Sequence, residues 1–198
     1  MKDSDLMVLL VICGCMSCGT PQENKEKDKT VAEYSEGDSP IIGNAVAPKK
    51  AVAHIGAASG SNVKGEITFL YEGDKVTMKV EVEGLPAGTH AIHLHENGDC
   101  SAEDGKSAGG HWNPMDKDHG KIGNDGPYHK GDIGNLETGE DGKVTLTFFT
   151  DEWCVGCGNE SKDVIGKSVI IHAGEDDFTS QPSGNAGKRI GCGVIEQE

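Results

Sequence analysis

Positive charge is scarce in this chain of 198 residues. Lysine and arginine number 18 against 33 aspartates and glutamates, which gives a formal net charge of −15. An excess of negative charge repels phosphate groups, so neither nucleic acid nor an anionic membrane surface is expected as an electrostatic partner. If the chain acts on an anion, the attraction has to come from a local positive patch.

The sequence also has little that could cross a membrane. The apolar run "LMVLLVI" at residues 6–12 is too short to span a bilayer, but it suits the apolar core of a signal peptide. Gly14 then precedes Cys15 in "ICGC", which resembles a bacterial lipoprotein signal whose cysteine is lipidated after cleavage; Cys18 in "CMSC" is a second candidate. We therefore predict a lipoprotein-like signal over residues 1–18 and an exported, lipid-anchored protein of the bacterial cell envelope or periplasm. An ordinary secretory signal is the alternative.

Helix-forming residues are not concentrated anywhere in the rest of the chain. Residues 19–50 are polar and acidic without apolar periodicity, which predicts a disordered tether before a domain at 51–198. The chain has 29 glycines, and the predicted domain contains many turn dipeptides and short Val/Ile/Thr-rich runs. This pattern predicts an all-β sandwich or flattened barrel. The eight predicted strands are 51–56, 64–72, 75–83, 90–95, 133–137, 143–149, 168–172 and 190–195.

Histidines accompany the one long segment without strand or helix periodicity, residues 96–131. His93 and His95 are two residues apart in a predicted strand, so both imidazoles face the same side, where they can bind copper or zinc. The segment contains three more histidines, and a carboxylate follows it directly. Together they form a plausible closed tetrahedral set for zinc: His111, His119, His129 and Asp132. His172 stands at the end of another predicted strand.

Five segments, "HLHENGDC", "SAGGHWNP", "HKGDIGNL", "VIIHAGEDD" and "GNAGKRIGCGVI", resemble the Cu,Zn superoxide dismutase family over essentially all of residues 51–198. The "HENGDC" form looks closer to bacterial members. The resemblance implies an eight-stranded antiparallel Greek-key β-sandwich or flattened barrel with long metal-binding and channel loops. It leaves a monomer and a homodimer both open.

The resemblance also implies two metal ions. Copper would be held by His93, His95, His111 and His172, and zinc by His111, His119, His129 and Asp132. His111 belongs to both sets and would bridge the ions. Asp176 matches the family's carboxylate that links a zinc ligand to a copper ligand and fixes their orientation.

The implied reaction is the dismutation of superoxide anion to dioxygen and hydrogen peroxide by alternating reduction and oxidation of copper. His111 would carry a proton, and Arg189 would attract and orient superoxide, with Lys188 as an additional cation. The alternative is a non-catalytic envelope protein that binds copper or zinc on the same scaffold.

Of the seven cysteines, four lie in the predicted domain. Four cysteines allow three disulfide pairings. The resemblance implies a Cys100–Cys192 disulfide, whereas Cys154 and Cys157 depart from the family pattern. Cys-X-X-Cys can be a local disulfide, a redox pair or half of a thiolate metal site; a small structural disulfide is favoured.

Overall fold

The computed structural model describes residues 47–198. The predicted signal peptide, Cys15, Cys18 and most of the predicted tether therefore lie outside the described residues. Eight strands confirm the all-β prediction: β1 Lys49–Ala57, β2 Lys64–Glu72, β3 Lys75–Glu83, β4 Gly88–His95, β5 Asp132–Thr138, β6 Lys143–Thr150, β7 Ser168–His172 and β8 Arg189–Gln197. The described part of the chain contains a single 3₁₀ turn, Lys106–Ala108, and no helix that is long and apolar enough to cross a membrane.

The alternation of apolar and polar residues decides which side of each strand is buried. In β3, every second residue is at most 4% exposed and belongs to the core: Val76, Met78, Val80 and Val82. The residues between them lie on the outer surface, as the period of two predicts. The same rule builds a core inside the barrel from residues of all eight strands.

The strands form one antiparallel sheet in the order β5-β4-β7-β8-β1-β2-β3-β6. The end strands β5 and β6 are joined by the short turn 139–142 and approach each other, so the sheet curls into a nearly closed barrel. The connections β3–β4 and β6–β7 each pass over two strands, which gives the Greek-key topology.

Two long connections leave neighbouring strands. The β4–β5 loop (residues 96–131) and the β7–β8 loop (residues 173–188) follow β4 and β7, which pair directly. Because β4 and β7 run antiparallel, the two loops leave this strand pair at opposite ends, and both fold back against β4. A disulfide between Cys100 and Cys192 ties the β4–β5 loop to β8.

Candidate metal centre

The ends of β4 and β7 present three histidines on the outer side of the barrel. In β4, Ile92 and Leu94 point into the core, so His93 and His95 point the other way. These two rings are nevertheless at most 1% exposed, because the long loops cover them. The strand register shifts at Ile92/His93 and again beside His172 in β7, and such bulges re-aim the side chains next to them.

His111 joins these three residues from the β4–β5 loop. A β-bridge between His95 and His111 brings the loop back against the end of β4. One potential ligand atom from each of four residues lies within 4.8 Å of the others: His93, His95, His111 and His172. The sequence-predicted copper set is therefore assembled in one place.

Each ring of this first group has one nitrogen in a hydrogen bond. His93 Nε2 lies 2.8 Å from Asp176 Oδ2, and the Nδ1 atoms of His95 and His172 lie 3.0 Å and 3.3 Å from the carbonyl oxygens of Gly109 and Gly187. Because a carbonyl oxygen only accepts, those two Nδ1 atoms carry the proton and leave Nε2 with a free lone pair. The buried nitrogens without a hydrogen-bond partner among residues 47–198 include His93 Nδ1, His95 Nε2, His111 Nε2 and His172 Nε2.

Burial keeps three of these rings uncharged, those of His95, His111 and His172. It lowers the pKa of His111 to about 4 and that of His172 to about 3, and it also lowers the pKa of His95 well below its ordinary value. Neutral imidazole is the form that binds metal ions. Four buried imidazole nitrogens without protein partners, close to one another, fit a soft or borderline cation such as copper.

The second group surrounds the carboxylate of Asp132. The Nδ1 atoms of His111, His119 and His129 lie 2.8 Å, 3.0 Å and 3.2 Å from its oxygens, and all four ligand atoms lie within 4.8 Å of one another. The main-chain amides of Gly120 and His129 donate to the same carboxylate at 3.0 Å and 2.8 Å and hold it in place. Three imidazole nitrogens and one carboxylate oxygen form a closed donor set that suits zinc.

Negative charge dominates this second group. Burial alone would lower the pKa of His119, but hydrogen bonds and charge interactions with Asp132 and Asp176 raise it to about 9. Burial likewise would raise the pKa of Asp132, yet its bonds with three histidines hold that pKa well below the usual range. Two buried carboxylates need a positive partner, and a dication supplies one.

His111 is common to both groups. Its Nδ1 faces Asp132 at 2.8 Å, and its Nε2 belongs to the unpartnered nitrogens of the first group. The ring centroids of His111 and His93 lie 4.0 Å apart. The ring therefore separates two adjacent donor sets and offers one nitrogen to each.

The β7–β8 loop holds the two groups together through Asp176 and Gln181. The Asp176 carboxylate lies 2.8 Å from His93 Nε2 and 2.9 Å from His119 Nε2, which links one ring from each group. Gln181 was not predicted: its Oε1 accepts from the amide of His119 at 2.8 Å, and its Nε2 donates to the His119 carbonyl at 3.0 Å. No sequence pattern predicts that a side-chain amide will form hydrogen bonds with the main chain of a distant residue.

Arg189 lies at the start of β8, beside the first group. Its guanidinium donates to the carbonyls of Gly105 at 2.8 Å and Gly109 at 2.7 Å. The Gly109 carbonyl also accepts from His95, so one oxygen orients both Arg189 and a histidine of the first group. Burial lowers the pKa of Arg189, but a guanidinium stays charged at any physiological pH.

An open cleft reaches the first group from solvent. Arg189, His95, His111 and His172 line it, and so does Lys117, a cation that the sequence analysis did not single out. Lys188 is exposed and lies outside this lining. The cleft therefore has two cations, Lys117 from the β4–β5 loop and Arg189 from β8, and Asp116 and Asp118 also line it.

The structure contains the two disulfides that the sequence analysis favoured. Cys100–Cys192 joins residues 92 positions apart, and Cys154–Cys157 closes a small ring. Disulfides persist in oxidising, exported compartments, so both bonds agree with export of the chain.

Comparison with known proteins points to a family whose members bind two kinds of metal ion. The profile of the family described as copper/zinc superoxide dismutase (SODC) matches residues 63–195. "Superoxide dismutase [Cu-Zn] 1" of the bacterium Aquifex aeolicus (strain VF5) is 38% identical over 135 residues, which cover 67% of this chain and 79% of the relative. A second protein of that bacterium, "Superoxide dismutase [Cu-Zn] 2", is 38% identical over 136 residues, with the same 67% and 79% coverage. "Extracellular superoxide dismutase [Cu-Zn]" of Drosophila melanogaster is 39% identical over 163 residues, which cover 75% of this chain and 85% of the relative. Because the family profile spans about two thirds of the sequence and includes both donor groups, the chain belongs to the copper/zinc superoxide dismutase family.

Proposed function

We propose that this protein converts two superoxide anions and two protons into dioxygen and hydrogen peroxide at a joined copper–zinc centre. Family membership supports the enzyme class and names copper and zinc as cofactors. The observation that carries the proposal is the position of His111, with one ring nitrogen in each of two adjacent donor groups.

The donor chemistry supports one assignment of the two ions. His93 Nδ1 and the Nε2 atoms of His95, His111 and His172 would hold copper, since all four are buried lone pairs without partners among the described residues. The set around a carboxylate would hold zinc: His111, His119, His129 and Asp132. When bound, copper supplies the one-electron chemistry, and zinc, which has no redox chemistry, supplies charge and order.

His111 is the residue that we assign to proton transfer. Its Nδ1 is held beside Asp132 at 2.8 Å, so Nε2 is the ring atom left to carry a proton toward the peroxide product. Burial lowers the pKa of His111 to about 4, so the ring is neutral at pH 7 and gives up readily any proton that it takes up.

Arg189 is the residue that we assign to substrate binding. A guanidinium has five N–H donors, and two hydrogen bonds to Gly105 and Gly109 leave donors free to face the cleft. A fixed cation in the lining of a cleft attracts and orients a small anion even on a protein of net charge −15. The Cys100–Cys192 disulfide supports this position, because it ties the loop that carries both glycines to the strand that carries Arg189.

We retain the predicted domain organisation and location as part of the proposal. Two disulfides and an extracellular relative support an exported protein. Residues 1–18 would be the signal, Cys15 or Cys18 the lipid anchor in a bacterial envelope, and residues 19–50 the tether. The mass of the mature N-terminus tests the anchor: a lipidated cysteine supports it, and a free N-terminus beyond Cys18 contradicts it.

Metal analysis combined with superoxide-consumption assays tests the function. The copper- and zinc-loaded protein should consume superoxide, and the metal-free protein should not. Arg189→Ala should be slower, with a weaker dependence on salt, while Arg189→Lys should keep the salt dependence and lose part of the rate, because lysine lacks the planar fork that two carbonyls hold. A loaded protein without turnover would support the alternative, a non-catalytic metal-binding protein.

A further inference from the structure

The Cys-X-X-Cys motif has no part in the proposed dismutation, and we propose that it is a second metal site. The site exists when the Cys154–Cys157 disulfide is reduced, and its two thiolates bind one monovalent copper ion. Asp163 completes the cluster, since its carboxylate oxygen and the two sulfurs lie within 4.8 Å of one another.

The two sulfurs differ in accessibility. Cys157 is exposed, whereas Cys154 is 3% exposed. A thiolate of an external dithiol therefore attacks Cys157 Sγ, the Cys154–Cys157 bond breaks, and Cys154 leaves as a thiolate. The second thiol of the reagent then displaces Cys157, so the reagent is oxidised to a cyclic disulfide and the protein gains two electrons as two thiol groups.

The loop around the motif is held by bonds that do not involve sulfur. The Asp163 carboxylate accepts from the amides of Gly156 and Gly158, both at 2.9 Å, and the amide of Cys154 donates to the Lys162 carbonyl at 2.8 Å. Lys49 Nζ donates to the Gly156 carbonyl at 2.6 Å. The two cysteines should therefore keep facing each other after reduction, which is the pre-organisation that a metal site needs.

The neighbouring anchors support the same conclusion. Trp153, next to Cys154, is 1% exposed and packs in the barrel core, and its indole N–H donates to the Lys130 carbonyl at 2.8 Å. The disulfide itself closes a ring between residues only three positions apart, so its contribution to loop-closure entropy is small. Opening it should leave the fold intact, unlike opening Cys100–Cys192, which spans 92 positions.

The donor set selects the ion. Thiolates favour soft ions, among which monovalent copper and zinc are the common ones. A structural zinc site needs four ligands, but the cluster found among residues 47–198 offers three. Both Asp163 carboxylate oxygens already accept hydrogen bonds from main-chain amides, so Asp163 contributes negative charge to the site rather than a bond to the metal. Two thiolates beside a carboxylate therefore suit a monovalent ion of low coordination number.

The test compares the full chain, loaded with copper and zinc, with its Cys154→Ser/Cys157→Ser variant. Both are treated with dithiothreitol without oxygen and desalted, their free thiols are counted, and Cu(I) is titrated against a chromogenic chelator. The wild-type chain should expose two more thiols and bind one more Cu(I) than the variant; the N-terminal cysteines cancel in the comparison. Asp163→Asn should keep the extra equivalent at lower affinity.

Two results would overturn the proposal. One is equal Cu(I) uptake by the two reduced chains, and the other is reduction of Cys100–Cys192 before Cys154–Cys157, seen by mapping alkylated cysteines. The first result would make the motif a structural disulfide only, and the second would refute the accessibility of Cys157 on which the reduction step rests. Superoxide consumption by the oxidised double variant should equal that of the wild type, so the test is independent of the proposed function.

Discussion

Replacing Gly184 with alanine should weaken zinc binding without any change to a ligand. Gly184 lies in the β7–β8 loop with φ +64°, directly over the contact between Asp176 and His119. A Cβ atom built there would lie 2.6 Å from Asp176 Cγ and 2.7 Å from His119 Nε2. Both distances are below any real Cβ contact, so the 2.9 Å link between carboxylate and ring has to open.

The magnitude follows from two separate effects. An alanine in the left-handed region loses about 1–2 kcal/mol of stability through backbone strain alone. Loss of a partner that orients a metal-ligating histidine weakens metal binding by about 10- to 100-fold. We therefore expect the zinc dissociation constant of Gly184→Ala to rise by about one to two orders of magnitude.

Gly123→Ala is the matched control, because it introduces the same kind of backbone strain as Gly184→Ala but no contact with a donor residue. Gly123 has φ +85°, and a Cβ atom there would meet nothing within 4 Å among the described residues. Competition with a chromogenic zinc chelator measures both affinities, and denaturant unfolding of the metal-free chains measures the shared strain. Equal zinc affinities for the two variants would refute the assigned role of the Asp176–His119 link.

Three further predictions concern the same loops. Gln181→Met should release zinc several-fold faster than wild type in a chelator chase, because it loses both bonds to the His119 main chain; an unchanged rate would remove that role. Cys100→Ser/Cys192→Ser should lower the free energy of unfolding by about 4–5 kcal/mol in denaturant titrations, since the bond closes a loop of 92 residues. Zinc binding to the metal-free chain at pH 7.5 should release about one proton, because His119, with its pKa raised to about 9, is protonated before binding and neutral afterwards. Calorimetry in two buffers of different ionisation enthalpy measures that proton, and its release should fade above pH 9; a constant release through pH 10 would contradict the raised pKa.

The pKa of His119 also has a consequence for the metal-free fold. A pKa raised from 6.5 to about 9 adds stability that is complete below pH 6.5 and is lost as the pH rises through 9. The lowered pKa of Asp132 adds stability that is lost as the pH falls below its ordinary value of 3.8. The lowered pKa values of His95, His111 and His172 remove stability as the pH falls below 6.5, because the unfolded chain then binds protons that the folded chain does not. The metal-free chain should therefore be most stable near pH 6.5.

Strand positions could be predicted well from the sequence because one side of each strand is buried. The bounds of β2, β3 and β7 coincide with the predicted ranges 64–72, 75–83 and 168–172. β1 and β8 each begin earlier than predicted, at Lys49 and Arg189, and strand ends are set by pairing with a neighbour more than by composition.

The donor residues of the site could be named from the sequence, but their supports could not. Histidine and aspartate carry recognisable spacings, and the structure brings the predicted donors together in two adjacent groups. Gln181 and the Gly109 carbonyl carry no such pattern, because they act through main-chain bonds that exist only after the loops have folded. Lys117 likewise reaches the cleft through the path of the β4–β5 loop.

The central claim is that two different metal ions share the ring of His111. Anomalous diffraction at the copper and zinc absorption edges, recorded on crystals of the loaded protein, tests it most directly. The account predicts copper beside His93, His95 and His172 and zinc beside Asp132, on opposite sides of that ring. Ions that are distant from each other, or copper absent from the three-histidine side, would contradict it.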